Sequence, residues 1–205
     1  MQNYQSQIRL MIKMQFQIGV ARRICETIGT LNMPSVSEKL GQMAAQAAMV
    51  EGLVYGMESG GGYYNGYYVP DRNLMYTAQV LTQQLYPEFI TSMREIAGGG
   101  LIMLPSSVKD FENPEIARYI HATQNSAIGT SEEKVKFMKL AWDAIGSEFA
   151  SRHTQYEMFY AGAQFVTRGH ALRTYDWNRS KILVDDILNS YNLEDMLEEK
   201  NVAAE

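Results

Sequence analysis

The chain has 205 residues, 46% apolar and 20% charged, a balance that suits a folded protein with a large core and excludes an intrinsically disordered one. Its net charge of −5 and pI near 5.3 imply no basic face, which makes nucleic acid a poor partner. The single cysteine, Cys25, excludes an internal disulfide framework and suits a reducing cytoplasm. Residues 1–29 then present two competing periods. Ile8, Leu10, Ile12, Met14, Phe16, Ile18 and Val20 alternate as in a strand, whereas Met11, Met14, Ile18, Ala21, Cys25 and Ile28 step by three and four as in a helix. The alternation stops at Val20 and the helical spacing runs on to Gly29, a natural helix cap, so the segment is expected to be helical. Apolar residues at almost every angle imply burial on more than one side, with Cys25 as a buried structural thiol.

Leu31-Asn32-Met33-Pro34 breaks the chain, and Ser35 with Glu38 three residues on has the pattern of a capping box for a second helix. Leu40, Met43, Ala47, Val50, Val54 and Met57 form its stripe, while Gly41, Ala44, Ala45 and Ala48 are small enough for a neighbouring helix to approach closely. The two helices read as an antiparallel pair. Residues 59–70 place four tyrosines among four glycines in a long loop. Such a loop is either a stacking surface for an aromatic ligand or packing against its own helices or a second subunit. Pro70 and Asp71 start a third helix through Leu74, Ala78, Leu81, Leu85 and Phe89 to Ile96, with a kink expected at Pro87.

Gly98, Gly99 and Gly100 follow, then a short apolar run, Leu101 to Leu104, closing on Pro105-Ser106-Ser107. Consecutive glycines sit where φ is positive or the backbone is closely approached, and with two hydroxyls they can bind an anion or simply end a helix. Asn113-Pro114-Glu115 begins a short helix that fades near Ala122, and 123–130 is a polar connection. Thr130 with Glu133 caps a fourth long helix, whose stripe Val135, Met138, Trp142, Ile145, Phe149, Arg152, Tyr156 and Phe159 keeps its spacing without a break. Arg152 then falls on the apolar face, followed by His153. A buried guanidinium needs a partner, either a ligand phosphate or a carboxylate such as Glu38, Glu51 or Glu95, unless it snorkels at the bundle edge.

Gly162 interrupts that helix. A further helical piece over 163–175, a turn at 176–178 and a last short helix over 179–189 follow, and an acidic tail from about Asn192 is expected to fray. His121, His153 and His170 lack metal-ligand spacing with one another or with Cys25, and no GxSxG, Walker or GxGxxG motif occurs. Thirteen methionines suit flexible core filling. Four long helices with short joins give an all-α four-helix bundle with extra short helices, read as one domain over 1–205. The N-terminus carries no charged segment followed by an apolar signal core, and no apolar run approaches membrane-spanning length, so a cytoplasmic protein is expected.

Three stretches carry a family resemblance: 4–29, "YQSQIRLMIKMQFQIGVARRICETIG"; 94–115, "REIAGGGLIMLPSSVKDFENPE"; and 132–162, "EEKVKFMKLAWDAIGSEFASRHTQYEMFYAG". Together they resemble the C-terminal region of the 4-hydroxyphenylacetate 3-monooxygenase family, the flavin-dependent aromatic hydroxylases, from about Tyr4 to about Leu193. The family's N-terminal and middle regions have no counterpart here. The resemblance implies a bundle like the acyl-CoA dehydrogenase C-terminal domain, packed as a homotetramer. It also implies reduced FAD supplied by a separate flavin reductase, used to hydroxylate a phenol such as 4-hydroxyphenylacetate at the ortho position. It carries over no catalytic residue, because substrate-binding residues belong mainly to the missing N-terminal region. Gly98, Gly99, Gly100, Ser106, Ser107, Arg152 and His153 are the expected flavin-proximal positions. Two alternatives stand beside this reading: a 4-hydroxybutyryl-CoA dehydratase-like domain, which needs an iron–sulfur cluster that one cysteine cannot hold, and a stand-alone non-catalytic helical oligomerisation domain.

Overall fold

The computed structural model describes residues 2–192, and the expected acidic tail over 193–205 lies outside them. Three long helices, α1 (Gln2–Ile28), α2 (Pro34–Ser59) and α3 (Arg72–Ala97), pack on one another. The chain continues through α4 (Pro114–Thr123), α5 (Ser131–Ile145), α6 (Glu148–Phe159), α7 (Gln164–Thr174) and α8 (Trp177–Asn189). α5 packs on α1, and both α6 and α7 pack on α3, which makes α3 the central strut.

Residues 2–28 resolve their two periods as one helix. Leu10, Met14, Ile24 and Cys25 are buried, but Ile12 and Phe16 of the alternating set point outward. Gly29, with φ +86°, ends the helix as expected, and its N–H and that of Thr30 both donate to the Cys25 carbonyl at 2.9 Å. Burial pushes the Cys25 thiol pKa up, in keeping with a structural role. Met14, Met43, Met93 and Met138 fill the core around Tyr86 and Phe89, and Met57 packs in a second cluster with Val54 and Ala78, the filling role expected of methionine.

The expected capping box at Ser35 does not form. Pro34 occupies the first turn of α2, where its missing N–H costs nothing, and Met33 precedes it without a side-chain cap. Met43, Ala47, Val50, Val54 and Met57 face the bundle, so Gly41, Ala44, Ala45 and Ala48 are left on the exposed side rather than against a neighbouring helix. Residues 59–70 are a hairpin as well as a loop: Gly62–Tyr64 (β1) pairs antiparallel with Tyr67–Val69 (β2). Asn65 and Gly66 turn the chain at φ +48° and +81°, the two positive values that a tight hairpin turn demands and that an Asn-Gly pair supplies. Asp71 caps α3 by accepting from the Leu74 N–H at 2.7 Å, and Pro87 lies inside that helix.

The fourth long helix is two helices. Gly146 interrupts it, and the Ser147 hydroxyl accepts from the Ala150 N–H at 3.2 Å to start α6. The Trp142 ring covers Gly146 so closely that a Cβ there would lie 2.5 Å from the indole, which excludes any other residue without moving Trp142. The capping box of Thr130 and Glu133 forms as expected, and so does the Asn113 cap with Pro114 behind it. Asp176 accepts from the Arg179 N–H at 3.2 Å and caps α8, which absorbs Trp177 and Asn178 from the expected turn.

Candidate functional site

α3 delivers the chain to the glycines. Gly98 takes φ +57° and ψ −153°, a region open essentially to glycine alone, and Gly98–Leu101 then make one 3-10 turn. Gly100 faces the Met138 methyl of α5, and Leu101 is buried behind it. Ile102 and Met103 emerge on the surface, 84% and 64% exposed. Beyond Pro105 the two serines turn the chain. The Ser107 hydroxyl accepts from the Lys109 N–H at 3.1 Å, and the Asp110 carboxylate accepts from the Ser107 N–H at 3.0 Å and the Ser106 hydroxyl at 3.3 Å. Both hydroxyls are therefore engaged locally, which is the structural alternative to an anion loop.

Between this segment and α5 lies a cavity of about 470 Å³, lined by Pro105, Ser107, Val108, Phe111 and Val135 and by the charged Glu132, Lys136 and Lys139. Lys139 reaches the Ser106 carbonyl only at 3.5 Å, and Lys136 has no partner among the described residues. Gln124 donates to the Met103 carbonyl at 3.1 Å, yet its own Oε1 is buried without a donor. The cavity therefore offers a ligand flat apolar cover together with two ammonium groups and one carboxylate, Glu132, while the unfilled Gln124 acceptor lies buried outside its lining. The lysines were not visible as a site in the sequence, because on α5 they read as an ordinary solvated face.

Arg152 and His153 lie elsewhere, on α6. The break at Gly146 rotates α6 out of phase with α5, so Arg152 is 78% exposed and, among the described residues, pairs only with Glu148, one turn back, at 2.8 Å. The expectation that it occupies the apolar face is corrected. None of Glu38, Glu51 or Glu95 is its partner. The inward face of α6 is instead Ala150, His153 and Glu157. Glu157, with a side chain 5% exposed, accepts from both Arg9 terminal nitrogens at 2.6 and 3.0 Å and from the Lys13 ammonium. Lys13 also donates to His153 Nδ1 at 2.7 Å. The Arg9 guanidinium covers the Tyr156 ring at 4.4 Å.

Burial sets the electrostatics of this cluster. It lowers the pKa of Lys13 against the pull of Glu157, and it lowers that of His153 with help from the Lys13 charge. Burial also works against the Arg9 charge, but Glu157 outweighs it and the Arg9 pKa rises. Tyr86 is pushed up to about 12, chiefly by burial. The sequence carried a faint signal for this cluster: Arg9 and Lys13 four apart on α1, His153 and Glu157 four apart on α6.

The fold is an all-α bundle, and its surface joins a glycine-kinked helix end to an apolar, lysine-rimmed slot. The chain belongs to the 4-hydroxyphenylacetate 3-hydroxylase C-terminal family, whose model matches residues 1–189. It is 34% identical over 167 residues to the oxygenase component of 4-hydroxyphenylacetate 3-monooxygenase from Pseudomonas aeruginosa, covering 80% of this chain and 32% of that protein. The Escherichia coli oxygenase component is 32% identical over 194 residues, covering 92% and 37%. This chain therefore spans about a third of the length of those curated relatives. Among solved structures, it superposes with a TM-score of 0.86 at 26% identity on the oxygenase component complexed with FAD and 4-hydroxyphenylacetate, covering 91% of this chain and 39% of that one. A 4-hydroxybutyryl-CoA dehydratase from N. maritimus, at 20% identity and a TM-score of 0.77, shares the fold alone. Among the described residues no helix is long and apolar enough to cross a membrane.

Proposed function

We propose that this chain works as the C-terminal, flavin-facing and subunit-packing domain of a two-component monooxygenase oxygenase that hydroxylates a phenol beside its existing hydroxyl. The observation that carries the reading is the superposition of 91% of the chain on an oxygenase component complexed with FAD and 4-hydroxyphenylacetate. Reduced FAD from a separate reductase would supply the oxygen-activating chemistry when bound. The chain's own part is to bind and to exclude water. Gly98 to Gly100 allow close backbone approach, and Ser106 and Ser107 hold the following turn in place. Pro105, Val108 and Phe111 offer apolar cover, and Lys136 and Lys139 offer positive charge to phosphates. Arg152, exposed and held among the described residues only by Glu148, can turn toward a second anionic contact, and His153 follows it in the chain.

The same reading accounts for the exposed apolar residues. α8 buries none of its residues, leaving Ile182, Leu183, Val184, Ile187 and Leu188 on the surface, and α2 presents its small-residue face outward. Surfaces of this kind suit burial against other subunits of a homotetramer and against the regions that precede this one in the relatives. A cytoplasmic setting, with one buried thiol and FAD recycled by a reductase, fits the whole. Anaerobic titration of reduced FAD into the purified protein, with mass recorded alongside, tests the proposal. Saturable binding weakened by Lys136→Ala and Arg152→Ala, in a tetramer, is expected. A well-folded protein that leaves the flavin spectrum unchanged overturns the flavin role and leaves a packing domain.

A further inference from the structure

α6 is a short helix between two breaks, Gly146-Ser147 at one end and Gly162, with φ +111°, at the other. It packs on α3 and α5, and polar contacts fasten it there and to α1. At its C-terminal end Gln83 of α3 donates to the Met158 and Gly162 carbonyls at 2.8 and 2.7 Å. Along its length the hold is the cluster on α1, where Glu157 takes Arg9 and Lys13, and Lys13 donates to His153. Its apolar burial is limited: Ala150 is buried, Tyr156 and Met158 are half-buried, and Phe149 and Phe159 are exposed.

We propose that Lys13, His153 and Glu157 form a protonation-controlled latch that holds α6 against α1 and lets it go when His153 takes up a proton. The geometry dictates the sense. Lys13 is an ammonium and can only donate, so His153 Nδ1 must be unprotonated to accept from it. A proton on Nδ1 removes that hydrogen bond and sets an imidazolium against the ammonium 2.7 Å away. It also raises the charge of the cluster: Arg9 and Lys13 with Glu157 already sum to +1, and imidazolium makes +2.

The groups facing His153 are Lys13 and Arg9 from α1 and Glu157 and the Phe149 ring, 4.2 Å away, from α6 itself; from α3, Tyr86 faces the same Lys13 across 5.4 Å. Glu157, the one carboxylate among them, is already shared between Arg9 and Lys13, so it has little left to offer a third cation. Burial and the Lys13 charge lower the pKa of the latched histidine, whereas a released one returns to about 6.5. The closed state is therefore favoured above pH 6.5 and loses ground as pH falls through that value toward the lowered pKa.

The test is amide hydrogen exchange at pH 7.5 and 5.5, corrected for intrinsic rates. A single histidine titrating at about 6.5 when free, and lower when latched, predicts lower protection across residues 148–159 at the lower pH, by at most about tenfold. Amides of α2 and of the 85–93 stretch of α3 should not change. His153→Gln, which keeps an acceptor but cannot titrate, should abolish the pH difference. In parallel, NMR titration of the His153 ring in the unmodified protein should give a midpoint below 6.5, which keeps the test open if the variant misfolds. Equal protection of α6 at both pH values overturns the latch, as does an unchanged pH response in His153→Gln or a midpoint above 6.5.

Discussion

Glu157→Gln should be among the most damaging single substitutions outside the apolar core. The carboxylate receives two charge-assisted hydrogen bonds from Arg9 and a third from Lys13. Such bonds are worth about 1.5–3 kcal/mol each, and stripping the charge leaves two cations facing each other. Arg9 is 27% exposed and Lys13 14%, so water recovers part of the loss. A net destabilisation of about 3 kcal/mol results, at the lower end for breaking a buried pair. Urea unfolding at pH 7.5, followed by far-ultraviolet circular dichroism, measures it. Arg9→Met should cost less, because Lys13 still satisfies the carboxylate, and the double variant should cost clearly less than the sum of the singles. A loss under about 1 kcal/mol for Glu157→Gln, or strict additivity with Arg9→Met, would show that α6 is held by something other than this cluster.

Gly98→Ala should cost about 1–3 kcal/mol in thermal unfolding, since φ +57° with ψ −153° is a region alanine does not tolerate, while Gly99→Ala, at an ordinary φ with open space at its Cβ, should be much milder. Asp71→Ala removes the cap on α3 and should cost about 1 kcal/mol, against almost nothing for Asp71→Ser. Arg152→Ala should leave the unfolding midpoint unchanged, because its pair with Glu148 is solvent-exposed, so any effect on flavin titration would be direct. Tyr86, held protonated to about pH 12 against about 10 when unfolded, binds more protons in the native state over that window. Stability should therefore fall as pH rises from 10 toward 12, and Tyr86→Phe, read by urea midpoints, should flatten that fall.

Much of the bundle was legible because its residues obey local rules. Thr130 with Glu133, Asn113 with Pro114, and Asp71 each satisfy orphan N–H groups in the way their chemistry allows, and the structure uses all three. The strand-like alternation of 8–20 lost to the helical spacing because only the latter continued to Gly29. The hairpin was missed because its strands are three residues long and carry tyrosine on both faces, which hides the period-two pattern, although Asn65-Gly66 announced the turn. The break at Gly146 was missed because the apolar spacing continues across it. Hydrophobic periodicity then picked the wrong face of α6, whose inward residues His153 and Glu157 are polar and are buried by charge pairing, not by apolarity. The helix end at Gly98 was readable from the unusual glycine run, whereas the cavity beside it takes only Ser107 from the expected positions. That Glu132, Lys136 and Lys139 meet Pro105, Val108 and Phe111 depends on α5 packing back on the segment, which no local pattern encodes.

The central claim is that this chain serves as the C-terminal domain of a flavin-dependent phenol oxygenase. Its most direct test grafts residues 1–189 in place of the matching third of the Pseudomonas aeruginosa oxygenase component. With reduced FAD, oxygen and 4-hydroxyphenylacetate supplied, the folded chimera should form the ortho-dihydroxy product, and Lys136→Ala within the graft should reduce it. A folded chimera of native mass that binds no reduced FAD and forms no product would contradict the account.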